Sequence, residues 1–103
     1  MIRSFGDGET EKIFNQEKSK KLPSDIQKRA LIKLLLLEAA TTEDDLKVPP
    51  SNHFEHLQGK LKDYYSVRIN NQWRIQFKIK NMNCMMFQLL IIIKRNEYGK
   101  EYY

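Results

Sequence analysis

Several scarcities narrow what this chain can be. It has one cysteine, Cys84, in 103 residues, so no internal disulfide framework exists and a reducing compartment is expected. Its two histidines, His53 and His56, stand three apart with no third histidine downstream, which makes a weak ligand set, and no metal is expected. Four glycines and three prolines exclude a fibrous repeat, and 41% hydrophobic residues argue against disorder. Long apolar runs are also missing. The longest, Leu89 to Ile93 with Met85 to Phe87 just before it, is too short to span a bilayer. No apolar stretch follows Met1–Phe5, so no signal peptide is expected there, and the chain reads as cytoplasmic with no membrane partner.

Acidic residues are scarce in one half only. Residues 1–50 carry 9 basic and 9 acidic side chains, a net of zero, whereas residues 51–103 carry 9 basic and 4 acidic, a net of +5. The whole excess lies after Pro50. A surface facing a polyanion is one reading and a solvated basic face that keeps a small domain soluble is the other.

The hydrophobic patterning changes at the same place. Asp7 can cap a helix over Glu9–Asn15, after a short strand at Ile2–Phe5. Ser24-Asp25-Ile26-Gln27 has the form of a capping box. Ile26, Ala30, Leu34 and Leu37 then recur at helical spacing, predicting a helix to about Ala40 whose wide apolar face needs covering. Thr41 to Leu46 reads as one capped turn before Pro49-Pro50.

Beyond Pro50 the period becomes two. Tyr64 to Ile69 is rich in aromatic and β-branched residues, Asn70-Asn71 signals a turn, and Gln72 to Lys80 alternates. Trp73, Ile75, Phe77 and Ile79 should face the core, with Arg74, Gln76, Lys78 and Lys80 opposite. After a second turn at Asn81-Met82-Asn83, Met85–Ile93 reads as a buried strand without alternation. The fold class predicted is α+β, with N-terminal helices packed on a small antiparallel sheet in one domain.

Arg68, Arg74, Lys78 and Lys80 would together give the sheet a basic surface with Tyr64, Tyr65 and Gln72 near its rim, suited to single-stranded RNA. An outward polar face is also simply what a one-sided sheet displays. His53, Glu55, His56 and Asp63 are the nearby groups able to do acid–base work, although an exposed loop histidine is more often inert. Cys84 has no histidine after it, so a thiol nucleophile is not expected.

At Phe54-Glu55-His56-Leu57-Gln58-Gly59, followed by Tyr64-Tyr65-Ser66-Val67-Arg68-Ile69-Asn70-Asn71-Gln72-Trp73-Arg74-Ile75, the sequence closely resembles HigB-type toxins of the RelE/ParE superfamily. Met1–Phe5, Glu9–Phe14, Ser19–Pro23 and Asp44–Pro50 resemble the same family in the same order, through about residue 80. The resemblance implies a RelE/ParE-like fold and a toxin that cleaves mRNA in the ribosomal A site. It also implies a cognate HigA-like helix-turn-helix antitoxin and metal-independent, cofactor-free endoribonuclease chemistry. By position, Arg74 matches the arginine that would hold the phosphate, and Glu55 falls where a base is expected. Lys60, Lys62, Tyr64, Arg68, Lys78 and Lys80 are the RNA-binding candidates. Gln58 stands where the family usually has a loop lysine, for which Lys60 or Lys62 is the substitute. The hairpin fits a HigB-like toxin better than a ParE-like inhibitor of a topoisomerase.

One departure is larger. The family's last strand usually ends in Asp-Tyr-His or similar, whereas Leu89–Ile93 is followed by no ionisable group until Lys94. A slip of reading frame would account for it. With permitted codons for Met85–Ile93, reading one base upstream gives His-Asp-Val-Ser-Ile-Ile-Asp-Tyr-His, an alternating strand with the family's ending. The expected organisation is a toxin domain over residues 1–93 and an atypical tail over 94–103. The expected consequence is that folding survives better than catalysis. The alternative is a catalytically inactive relic that binds antitoxin, or self-associates through the altered last strand, without cutting RNA.

Overall fold

A computed structural model describes residues 1–81 and 84–94. The expected turn at Asn81-Met82-Asn83 therefore lies partly outside the described residues, and the expected tail lies outside them apart from Lys94.

Three helices come first. Helix α1 spans Gly8–Phe14, and the Asp7 side chain accepts from the Thr10 amide at 3.0 Å. Glu9 and Glu11 in its first turn and Lys12 in its last oppose the helix dipole favourably. Helix α2 spans Ser24–Ala39 and buries Ile26, Ala30, Leu34 and Leu37, as their spacing predicts. The expected capping box is corrected, because Pro23 occupies the N-cap and no side chain caps the helix. Gln27 clamps the preceding loop instead: its amide donates to the carbonyls of Ser19 and Leu22, and its oxygen accepts from the Ser19 amide.

Helix α3, Glu43–Leu46, is one turn with a complete capping box between Thr42 and Asp45. Hydrogen bonds from the Thr41 and Thr42 amides hold the Asp45 carboxyl below its ordinary range. A depressed folded-state pKa contributes stability above the unfolded value, lost as pH falls through the folded one. Acid titration of the unfolding midpoint from pH 5 downwards should therefore weaken the native chain more than Asp45→Asn. Equal acid sensitivity would remove this capping box as a contributor.

The second half is a four-stranded antiparallel meander, ordered β1 (Glu55–His56), β2 (Tyr64–Arg68), β3 (Trp73–Asn81), β4 (Met85–Lys94). The helices cover one face. Val67, Ile75, Phe77, Phe87, Leu90 and Ile92 meet α2 there in a single core with Ile13, Leu34 and Leu37. Burial of this apolar surface is the main driving force for the fold.

Strand β4 corrects the expectation of no alternation. Burial alternates on both sides of a slip: Met85 and Phe87 are buried before it, Leu90 and Ile92 after it. The slip is a bulge at Leu89, whose φ is +56°, facing a register shift between Gln76 and Lys78. Residues 2–5 also differ from the strand expected, making two separate parallel bridges, Ile2 to Phe87 and Phe5 to Leu90. With the Thr10 hydroxyl accepting from the Ile92 amide at 3.0 Å, these contacts cover the outer edge of β4. Gly6 completes the join, since a Cβ there would stand 3.1 Å from the Leu89 carbonyl oxygen.

Candidate functional site

The period-two reading assigns the side chains of β3 to the correct faces. Register pairs Arg68 with Arg74, Ser66 with Gln76 and Tyr64 with Lys78, all on the face away from the helices. β1 adds Glu55 opposite Ser66. Tyr65 is a correction: it stands opposite Phe77 on the helix-covered face, stacked on Phe54 and His56.

The second correction is depth. Arg74 and Gln76 are buried, not displayed. The Arg74 guanidinium donates from Nε to Ser66 Oγ at 2.9 Å and from Nη2 to the His53 carbonyl at 2.8 Å. The same Nη2 lies 3.0 Å from Glu55 Oε1, and the Arg74 side chain is only 7% exposed against 48% for Glu55. A planar, permanently charged fork suits this multiple engagement, and the buried charge is matched by a carboxylate at the solvent boundary.

His53 is what the sequence reading missed, having set it aside as an ordinary loop histidine. Its backbone is left-handed, with φ +42° just after the turn at Pro50–Asn52, and this conformation brings its carbonyl onto Arg74. Its ring nitrogen Nε2 lies 3.1 Å from Arg68 Nη1. Arginine can only donate, so in this pairing Nε2 is the acceptor and the ring proton sits on Nδ1. The available signal is the spacing His53-x-Glu55, which puts two acid–base groups at the start of an edge strand.

Glu55, Arg68 and Arg74 thus meet in one cluster with His53 and Ser66. The remaining candidates gather toward the other end of the strands. Lys78 lies 5.1 Å from the centre of the Tyr64 ring, and Lys80 is exposed at the end of β3. Lys60 and Lys62 are exposed on the loop between β1 and β2, where the Lys62 carbonyl bonds the His56 ring. Across β3, the β4 residues on this face are Ile93 opposite Arg74, Ile91 opposite Gln76, Gln88 opposite Lys78 and Met86 opposite Lys80. No described β4 side chain on this face is an acid or a base. Gln76 Oε1 is buried and has no hydrogen-bond partner among the described residues.

Among the described residues, no group of three or more histidine, cysteine, aspartate or glutamate side chains could hold a metal ion. No described helix is long and apolar enough to cross a membrane.

A sequence model for the RelE-like toxin of the type II toxin–antitoxin system HigB matches residues 3–90. The chain is 42% identical to Toxin HigB-1 of Vibrio cholerae over 79 residues, covering 76% of this chain and 83% of that protein. It is also 39% identical over 61 residues to an uncharacterised protein of Haemophilus influenzae, covering 59% and 60% of the two chains. With an α+β meander, helices on one face and the Arg74 cluster on the other, the chain belongs to the HigB family of RelE-like type II toxins.

Proposed function

We propose that this type II toxin is a ribosome-dependent mRNA endoribonuclease, restrained by a HigA-like helix-turn-helix antitoxin, and that it cuts at the Glu55–Arg74 cluster. The observation carrying this reading is the 3.0 Å pair of a buried guanidinium and a half-exposed carboxylate on the open sheet face. An RNA phosphate entering the cluster competes with Glu55 for Arg74. That exchange seats the phosphate on the guanidinium and frees the carboxylate beside it. Glu55 then takes the proton of the ribose 2′-hydroxyl, whose oxygen bonds phosphorus while the bond to the 5′ oxygen breaks. The products are a 2′,3′-cyclic phosphate and a 5′-hydroxyl end.

Arg68 stands next to Arg74 across the hairpin as a second cation for the crowded phosphate. The unpartnered Gln76 oxygen favours a ligand that brings a donor, such as a ribose hydroxyl or a base amine. Tyr64, Lys78 and Lys80 continue the same face, and Lys60 and Lys62 rim the adjoining loop, as a track for the RNA backbone. With Ile91 and Ile93 on the β4 side, the leaving oxygen takes its proton from water. A positioned acid is typically worth about a hundred- to ten-thousand-fold, so cutting should be slow by that order beside a relative that has one.

The test is cleavage of mRNA on programmed ribosomes by the purified chain and by Glu55→Gln. The variant should fold with a loss of about 1–2 kcal/mol, because Arg74 is buried but the glutamine amide oxygen can still accept from it. It should lose cleavage by about a hundredfold or more. Cleavage by Glu55→Gln at the native rate would remove Glu55 as the base.

A further inference from the structure

A cavity of about 480 Å³ opens between α2 and the turn joining β2 to β3, lined by Arg29, Ile32, Lys33, Arg68, Asn70 and Asn71 among others. Three of these residues are cations and none of its lining residues is acidic. Among the described residues none of the three forms an ion pair with a carboxylate. Arg29 and Lys33 sit one helical turn apart on α2, a like-charge spacing that a helix does not favour.

Lys33 is also held in place. Its amine bonds Asn52 Oδ1, and Asn52 is fully buried, donating from Nδ2 to the carbonyls of Leu46 and Val48 at 3.1 Å each. Burial pushes the Lys33 amine below the ordinary lysine range, and the charge of Arg29 adds to that. An anion in the cavity relieves both effects. The turn opposite is equally fixed, with Asn70 Oδ1 accepting from the amides of Gln72 and Trp73 at 2.8 and 2.9 Å. Ile32 and Ile69 supply apolar walls between the cations and the Asn70 and Asn71 amides.

We propose that this cavity is a second phosphate subsite, taking the RNA backbone to one side of the bond cut at the Glu55–Arg74 cluster. The proposal rests on the RNA-cleaving function proposed above. Arg68 connects the two places: it lines the cavity and bonds His53, whose carbonyl holds Arg74. In this proposal a strand lying on Arg74 leaves past Arg68, rounds the β2–β3 turn and reaches Arg29 and Lys33 at the α2 side. RNA carries a phosphate at every step, so this continuous cation path suits it better than a peptide with scattered carboxylates.

Arg29 is exposed and has no hydrogen-bond partner among the described residues, so Arg29→Gln should leave the fold intact. Lys28→Gln removes the same charge from the neighbouring position, outside the cavity. Binding of a 2′-O-methylated RNA hexanucleotide to the full chain should weaken about five- to tenfold in Arg29→Gln and less than twofold in Lys28→Gln. The slope of log affinity against log salt should fall by about 0.7, the loss of one single-strand phosphate contact, in the first variant only. Amide NMR shifts from the same RNA should include Arg29, Lys33 and Asn71. Equal weakening in both variants overturns the subsite and leaves the RNA-cleaving function standing. Shifts at these amides with a hexaglutamate peptide but not with RNA also overturn it. If the chain binds no RNA, yet inorganic phosphate shifts these amides in the native chain and not in Arg29→Gln, the failure lies in the RNA reading and the cavity is an anion site of another kind.

Discussion

Arg74→Ala is expected to abolish cleavage and to destabilise the fold together, and to destabilise it more than Glu55→Gln does. Truncation leaves Ser66 Oγ and the His53 carbonyl without this donor and Glu55 without its cation. Breaking a fully buried ion pair costs about 3–5 kcal/mol. Glu55 is half exposed and can be resolvated, so the loss here should be nearer 2–3 kcal/mol, most of it from the unsatisfied hydrogen bonds. Activity should fall at least a thousandfold, because the phosphate loses its fixed positive partner. Arg74→Lys keeps the charge but not the fork, and should recover part of the stability with little of the activity. Denaturant unfolding and a ribosome cleavage assay on the three proteins check both halves. An Arg74→Ala protein as stable as the native chain would mean that this network does not hold the His53 loop.

Phe77→Ala should have the largest effect on stability alone. Phe77 is fully buried beneath the site, edge-on to Phe87 at 5.4 Å and beside Tyr65 at 6.4 Å between ring centres. It also lies between Gln76 and Lys78, where the β3–β4 register shifts, so the ring packs the core at the slip. Emptying such a position costs about 3–5 kcal/mol, out of about 5–15 kcal/mol for a whole domain. Thermal unfolding should drop by well over 10 °C, at about 4–8 °C per kcal/mol for a chain near this size. A loss below about 1 kcal/mol would mean that the sheet collapses around the gap and that the two strands do not need the ring to hold their register.

Much of this fold was legible because local periods and final burial agree. Ile26, Ala30, Leu34 and Leu37 mark the buried stripe of α2, and Val67, Ile75 and Phe77 mark the core face of the hairpin. Strand β4 was not legible, because Met86, Ile91 and Ile93 make its open face as apolar as its buried one, and the bulge at Leu89 shifts the phase midway. The expected capping box failed for a different reason. Gln27 has loop carbonyls within reach, and they compete successfully for its amide.

The site was legible in membership more than in depth. Period two puts Arg68 and Arg74 on one face and the family resemblance singles out Glu55, but neither sees the His53 loop folding over Arg74. That fold-over depends on a left-handed residue at position 53 that is not glycine, a conformation propensity does not anticipate. The charge imbalance between the halves likewise divides in three dimensions. Arg68 and Arg74 lie with an acid, whereas Lys60, Lys62, Lys78 and Lys80 lie on exposed or half-exposed positions toward the other end of the strands.

Whether this chain cuts mRNA through Glu55 is decided by inducing the native chain and Glu55→Gln in cells lacking the antitoxin and mapping new RNA ends genome-wide. The native chain should produce 5′-hydroxyl ends within translated reading frames, and Glu55→Gln should lose them at equal protein levels. Growth arrest by the native chain without such ends, or identical ends from both proteins, would contradict cleavage through Glu55.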